Sequence, residues 1–199
     1  MLDENEFFRE VTLRICGTLE IETALWRCYK YLNQFFPVDI AVLHYLIPEE
    51  NSGIGFAEAT AQGGRLAHRK GFIPPEFLDR VNRGEMPDEI IQNRANEQPW
   101  GKFLLEAGQV RSKASTMTAR LIVDNTWLGG VTFIANGWDR YKEGHRKLLQ
   151  LLRVPFAFAL SNARRYLQLL EIKELLADDN RYLQKELQAR KSTDIIGHD

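Results

Sequence analysis

The chain has 199 residues, 44% of them hydrophobic and 27% charged, with a formal net charge of -1. That length suits one ordinary domain with an extension, or two small domains, and the composition supports a packed core and argues against global disorder. There is neither an overall basic field nor a basic stripe interleaved with aromatics, which argues against direct contact with nucleic acid.

Residues 5–18, "EFFREVTLRICGTL", and 21–36, "IETALWRCYKYLNQFF", carry apolar residues at helical spacing, with Gly17 and Thr18 between them and Pro37 after them. Cys16 and Cys28 fall on these helices without a metal-ligand spacing and read as two buried free thiols of a reducing cytoplasm. "VDIAVLHYLI", 38–47, is apolar on both alternating sets, the pattern of a strand covered on both faces and therefore central in its sheet. "PEENSG" is a turn, "IGFAEATA" a second strand and "RLAHRKGFI" a weaker third.

From Pro74-Pro75 to about Gly108 the chain is less regular. It holds a short helix in "PPEFLDRVN", a short edge strand in "MPDEIIQN" and another short helix in "QPWGKFLLEAG". "STMTARLIV", the turn "DNT" and "WLGGVTFIAN" form a hairpin, and Gly129 and Gly130 mark a bulge or a close approach within it. A helical pattern then runs from about Asp139 to Ser192, with a kink or break expected near Val154 because Pro155 follows. The order predicts an α+β fold: one mostly antiparallel sheet, helices on one face and an irregular lid on the other, then a long C-terminal helix. A ligand pocket belongs between sheet and lid.

No Gly-rich phosphate loop, nucleophile elbow, metalloprotease helix or CxxC motif is present, so no catalytic or metal-ligating set emerges and no cofactor is specified. The candidate ligand contacts are His44, Arg65, His68, Trp100 and Arg120. His44 shares a strand face with Ile40 and Val42, as a ligand-sensing imidazole or as a core histidine with a local hydrogen-bond partner. His68 with Arg65, Arg69 and Lys70 forms either a cationic wall for a small anion or a solvated strand edge. Trp100 closes over a ligand or anchors the lid, and Arg120 faces either the pocket or solvent.

In the last helix, Leu169, Leu176 and Leu183 fall on d positions of a heptad, and Tyr166, Lys173, Asn180 and Leu187 on a positions. Leucine at d with polar residues at some a positions specifies a parallel two-stranded coiled coil and so a homodimer. The other reading is a monomeric helix packed on its own domain.

Three stretches carry a family resemblance. "FAFALSNARRYLQLLEIKELLADDNRYLQKEL", after "LLRVP", resembles the end of the GAF sensor domain of sigma-54-dependent transcriptional activators and the linker beyond it. "TARLIVDNTWLGGVTFIANGWDRYKEGHRKLLQLL" is similar to the last GAF hairpin and helix start, through Leu121 to Val123, Leu128-Gly129-Gly130, Phe133 and Tyr141. "DIIGHD" is similar to the first residues of the AAA+ ATPase domain of those activators. The resemblance is clearest over 115–199, and over 1–114 it lies in the order of elements. It implies a GAF-like sensory domain over 1–165, a coiled-coil signalling helix over 166–191 and the start of an ATPase domain over 192–199. It further implies an unidentified small-molecule effector, regulation of an AAA+ ATPase in the same full-length chain, a non-enzymatic role and a cytoplasmic location. The cyclic-nucleotide signature of some GAF domains is not visible, and no relative's ligand residues map onto this sequence. The alternative is a protein-interaction and dimerisation module with no small ligand.

Overall fold

A computed structural model describes residues 3–98 and 113–195. The expected helix over 98–108, Trp100 and "IGHD" at the end lie outside the described residues. Helix α1, Glu4–Cys16, starts at Asp3, whose Oδ1 accepts from the backbone N–H groups of Asn5 (2.9 Å) and Glu6 (3.2 Å). Helix α2, Ile21–Leu32, stops short of Pro37, and backbone bonds to the Leu32 carbonyl turn the chain out at Phe35 and Phe36. Six strands follow: β1 Ile40–Ile47, β2 Ser52–Thr60, β3 Gly63–Phe72, β4 Glu89–Gln92, β5 Ala114–Val123 and β6 Thr126–Asn136. Helix α3, Pro75–Asn82, precedes β4, and helix α4 spans Glu143–Ile195.

The strands form one antiparallel sheet in the order β3-β2-β1-β6-β5-β4, so β1 is central, as its two apolar faces predict. The hairpin of β5 and β6 turns on Asp124 and Asn125, both at positive φ (47° and 62°), which suits a two-residue primed turn. The third strand is longer than its weak pattern suggests. Its ten residues are mostly exposed, and an edge strand facing water needs no apolar alternation.

One face of the sheet carries Leu43, Met117, Val131 and Phe133, and the helices cover it. Phe133 meets Phe36 and Phe156 edge-on, with ring centroids 5.3 and 6.2 Å apart, while Leu149, Leu152 and Leu160 of α4 are buried. Phe7, Tyr31 and Phe35 join α1 to the end of α2. The stretch 73–86 lies over the opposite face, where Ile73 and Phe77 cluster with Leu46.

Of the kink or break expected at Pro155, the break does not occur, because helix α4 runs through that residue. The missing N–H leaves the Leu151 carbonyl without its in-helix donor. Burial of Leu152, Phe156 and Leu160 on either side fixes the backbone and offsets that loss. The chain forms two compact units, Met1–Asn162 and Ala163–Asp199. No helix among the described residues is long and apolar enough to cross a membrane.

Candidate functional site

The face opposite α1 and α2 has an unusual make-up. Residues 42, 44 and 46 of β1 point to it. Val42 joins an apolar cluster with Ile134, Ala114 and Ala95, and Leu46 joins the one with Ile73 and Phe77. Between them on the same strand stands His44, 7% exposed. Antiparallel register sets its neighbours. One row across all six strands reads Ile90, Thr118, Thr132, Val42, Glu58, Arg65. The adjacent row reads Arg120, Gly130, His44, Gly55, Arg69. A band of polar side chains therefore crosses the middle of a buried face.

Each member is held differently. The Thr118 and Thr132 hydroxyls share a hydrogen bond of 3.0 Å, and both residues are buried. The Thr116 hydroxyl donates to Gln92 Oε1 at 3.4 Å. Glu58, 4% exposed, accepts from Arg65 Nη2 at 2.8 Å and lies 3.5 Å from Arg69 Nη1, so its buried charge is matched. Burial alone lowers His44 to about 4, which makes it a neutral imidazole at neutral pH.

The glycine pair serves this site. A Cβ on Gly129 would lie 2.0 Å from the His44 carbonyl oxygen, and one on Gly130 would lie 2.7 Å from His44 Nε2. Strand β6 thus approaches β1 closely at 129, and at 130 the imidazole occupies the space a side chain would take. The β5–β6 pairing also shifts between Leu121 and Ile122, so the glycines mark both a close approach and an adjacent bulge.

Arg120 lies inside, with its side chain 12% exposed. Nη1 donates to the Met86 carbonyl at 3.1 Å, and the guanidinium carbon sits 5.3 Å from the Trp127 ring centroid. Arg65 ends the first row at the β3 edge, and His68 lies in neither row. Arg65 is a largely exposed partner of Glu58, and His68 is exposed at positive φ (45°) in a bulge of the β3 edge. Lys70 pairs outward with Glu50. A cleft of about 180 Å³ borders the band on the β4 side, lined by Phe77, Met86, Ile90, Gln92, Arg80 and Gln98 among others. At ~30 Å³ per water-sized group, it suits a molecule of only a few heavy atoms.

Sequence reasoning picked His44 and Arg120 from this band and missed Thr116, Thr118, Thr132 and Glu58. The signal was present in "STMTARL": Met117, Ala119 and Leu121 alternate with Thr116, Thr118 and Arg120, which marks a polar face beside an apolar one.

No family model and no curated protein matches the chain. Solved structures do. The phycocyanobilin-bound GAF domain of a cyanobacterial phytochrome superposes with a TM-score of 0.61 at 16% identity, covering 83% of this chain and 98% of that one. The fold is that of a GAF domain. The GAF domain of an Acinetobacter phosphoenolpyruvate-protein phosphotransferase matches at TM-score 0.58 and 12% identity, covering 83% of this chain and 98% of that one. The substrate complex of free methionine-R-sulfoxide reductase from Neisseria meningitidis matches at 0.57 and 12%, covering 82% of this chain and 91% of that one.

Both cysteines of this GAF fold lie on the helices, away from the polar band. Cys28 is buried, donates weakly to the Val11 carbonyl (3.7 Å), and burial pushes its thiol far up. Cys16 is exposed at the end of α1 and points to the Pro155 carbonyl (3.8 Å). Among the described residues no three His, Cys, Asp or Glu side chains cluster as metal ligands.

Beyond residue 162, helix α4 carries Leu169, Leu176 and Leu183 at 65, 58 and 52% exposure along one side. Lys173 and Asn180 are exposed, and Asn180 Nδ2 donates to the Leu176 carbonyl of its own helix (3.1 Å). The Leu187 side chain lies outside the described residues.

Proposed function

We propose that this chain is a ligand-sensing regulatory domain. A small polar molecule binds against the band of His44, Thr118, Thr132 and Arg120, and occupancy is reported through α4. The observation that carries this reading is the buried polar band itself: it separates two apolar clusters that would otherwise merge into one core. The phytochrome GAF domain, solved with a bound chromophore, supports the reading by its fold. The resemblance of 115–199 to sigma-54-dependent activators names the recipient as an AAA+ ATPase in the same full-length chain. The exposed leucines of 163–195 pair with a second copy, making a dimeric linker. Ligand binding shifts the population between two packings of α4 on the sheet.

The role is not enzymatic. A reductase among the structural neighbours shows that the fold can carry catalysis, so the distinction lies in the residues. A reactive cysteine needs a low-pKa, accessible thiolate in a polar cleft, and here both thiols sit on the helical side.

Native mass spectrometry of protein purified under gentle conditions tests the sensing role. A ligand-sized mass increment, lost in Thr118→Val, is the expected result. A bare chain mass, with no thermal shift from any small polar metabolite, would leave the interaction-module reading standing instead.

A further inference from the structure

We infer that the buried guanidinium of Arg120 anchors a small oxyanion, and that this ligand competes with Asp88, the carboxylate joining Arg120 to Arg153 of α4. The inference deepens the sensing role proposed above and rests on it. Arg120 is poorly satisfied for a buried cation. Asp88 Oδ1 stands 3.7 Å from Nη1, beyond hydrogen-bond length, and the buried Nε has no hydrogen-bond partner among the described residues. The same carboxylate leans the other way, with Oδ2 only 2.5 Å from Arg153 Nη2. Arg153 also holds Glu89 Oε1 at 3.1 Å, and its own buried Nε has no hydrogen-bond partner among the described residues. Asp88 sits just before edge strand β4, where a side chain from the site face and one from the helix face can reach a single carboxylate.

The surroundings of Arg120 define the ligand class. Across the row the His44 ring fills the space over Gly130, and in its neutral form it carries one N–H; on the same face the Thr118 hydroxyl, which shares a hydrogen bond with Thr132, can donate outward when Thr132 donates to it. A guanidinium, an imidazole N–H and a hydroxyl together present donors, and an oxyanion is the group that only accepts. Bound there, it takes over Arg120 and repels Asp88, leaving that carboxylate wholly to Arg153. Arg153 lies two residues before Pro155, where α4 lacks one backbone hydrogen bond and deforms more readily.

The test is ¹⁵N NMR of the arginine Nε–H groups, assigned through Arg120→Lys and Arg153→Lys, during titration with sodium acetate or sodium phosphate. Sodium chloride at equal ionic strength is the control. Acetate, phosphate or both should move the Arg120 signal saturably, and Arg153 should follow on the same curve. In Asp88→Asn the Arg120 response should persist with several-fold tighter binding, while Arg153 no longer follows. No saturable Arg120 response beyond chloride would overturn the anchor, yet would leave a mass-spectrometric ligand and the sensing role intact. An Arg153 response unchanged in Asp88→Asn would overturn the link. Should that variant not fold, Arg153→Gln decides: it frees Asp88 for Arg120, so anion affinity should drop several-fold, and an unchanged affinity refutes the competition.

Discussion

His44 gives the sharpest quantitative test of the site. Its imidazole is buried and lowered to about 4, against about 6.5 for a free histidine. The native state therefore resists a proton that the unfolded chain accepts. Stability from this residue is fully present above pH 6.5 and falls as pH drops toward 4. The complete transition is worth about 3 kcal/mol, at 1.36 kcal/mol per unit over roughly 2.5 units. Between pH 7.5 and 5.0 the linkage integral gives about 2 kcal/mol. Urea unfolding followed by far-UV circular dichroism at the two pH values measures it, with His44→Gln as reference. Burial and Lys142 also lower His145, which contributes with the same sign, so the wild-type minus variant difference isolates His44. Glu10 and Glu50 are lowered by Arg14 and Lys70, and their contributions fade as pH falls from the free carboxylate value of 4.5 toward the lowered native one, below this window. The stability advantage of wild type over His44→Gln should shrink by about 2 kcal/mol on going to pH 5.0. Parallel pH profiles for the two proteins would mean that His44 is not a buried neutral imidazole, and the site would lose its centre.

Other outcomes follow from the same geometry. Gly130→Ala should cost about 1–3 kcal/mol, because its methyl meets the imidazole at 2.7 Å and the Ala119 carbonyl oxygen at 3.0 Å. The displaced ring should then titrate closer to 6.5, read from its ring-proton NMR signals. Thr132→Val strands the Thr118 hydroxyl and should cost about 1–3 kcal/mol in urea unfolding. The Thr118→Val, Thr132→Val pair should recover much of that stability while abolishing any ligand increment in native mass spectra. Replacing Asn180 and Leu183 together should shift the monomer–dimer balance in light scattering, and an unchanged balance counts against 166–191 as the dimer seam.

Local chemistry explains which features could be read in advance. β1 announced its central place because both its faces are apolar, and the β5–β6 hairpin because Asp124 and Asn125 accept positive φ. β3 was underrated because an exposed edge strand follows no burial pattern. Pro155 suggested a break because a helix read alone cannot show what packs beside it; the buried Leu152, Phe156 and Leu160 supply that context. The site was half legible for a related reason. His44 and Arg120 stand out by residue type, whereas Thr118, Thr132 and Glu58 become one site only once register aligns them across four strands. Pairing partners more than seventy residues apart leave no trace in a single sequence.

The polar band is costly to the fold, and that cost is the strongest reason to assign it a role. Replacing His44, Thr118 and Thr132 by apolar residues would let the Val42–Ile134 cluster run into the Leu46–Phe77 cluster. Continuous apolar cores are generally as stable as cores with satisfied polar groups, or more so. Pairing accounts for Glu58 and for the threonine couple. It does not account for a neutral histidine packed into the space above Gly130, nor for an arginine whose Nε has no acceptor among the described residues. Where local consistency fails in a packed protein, function is the usual cause. Within the band, His44 and Arg120 stand in one cross-strand row, with only Gly130 between them.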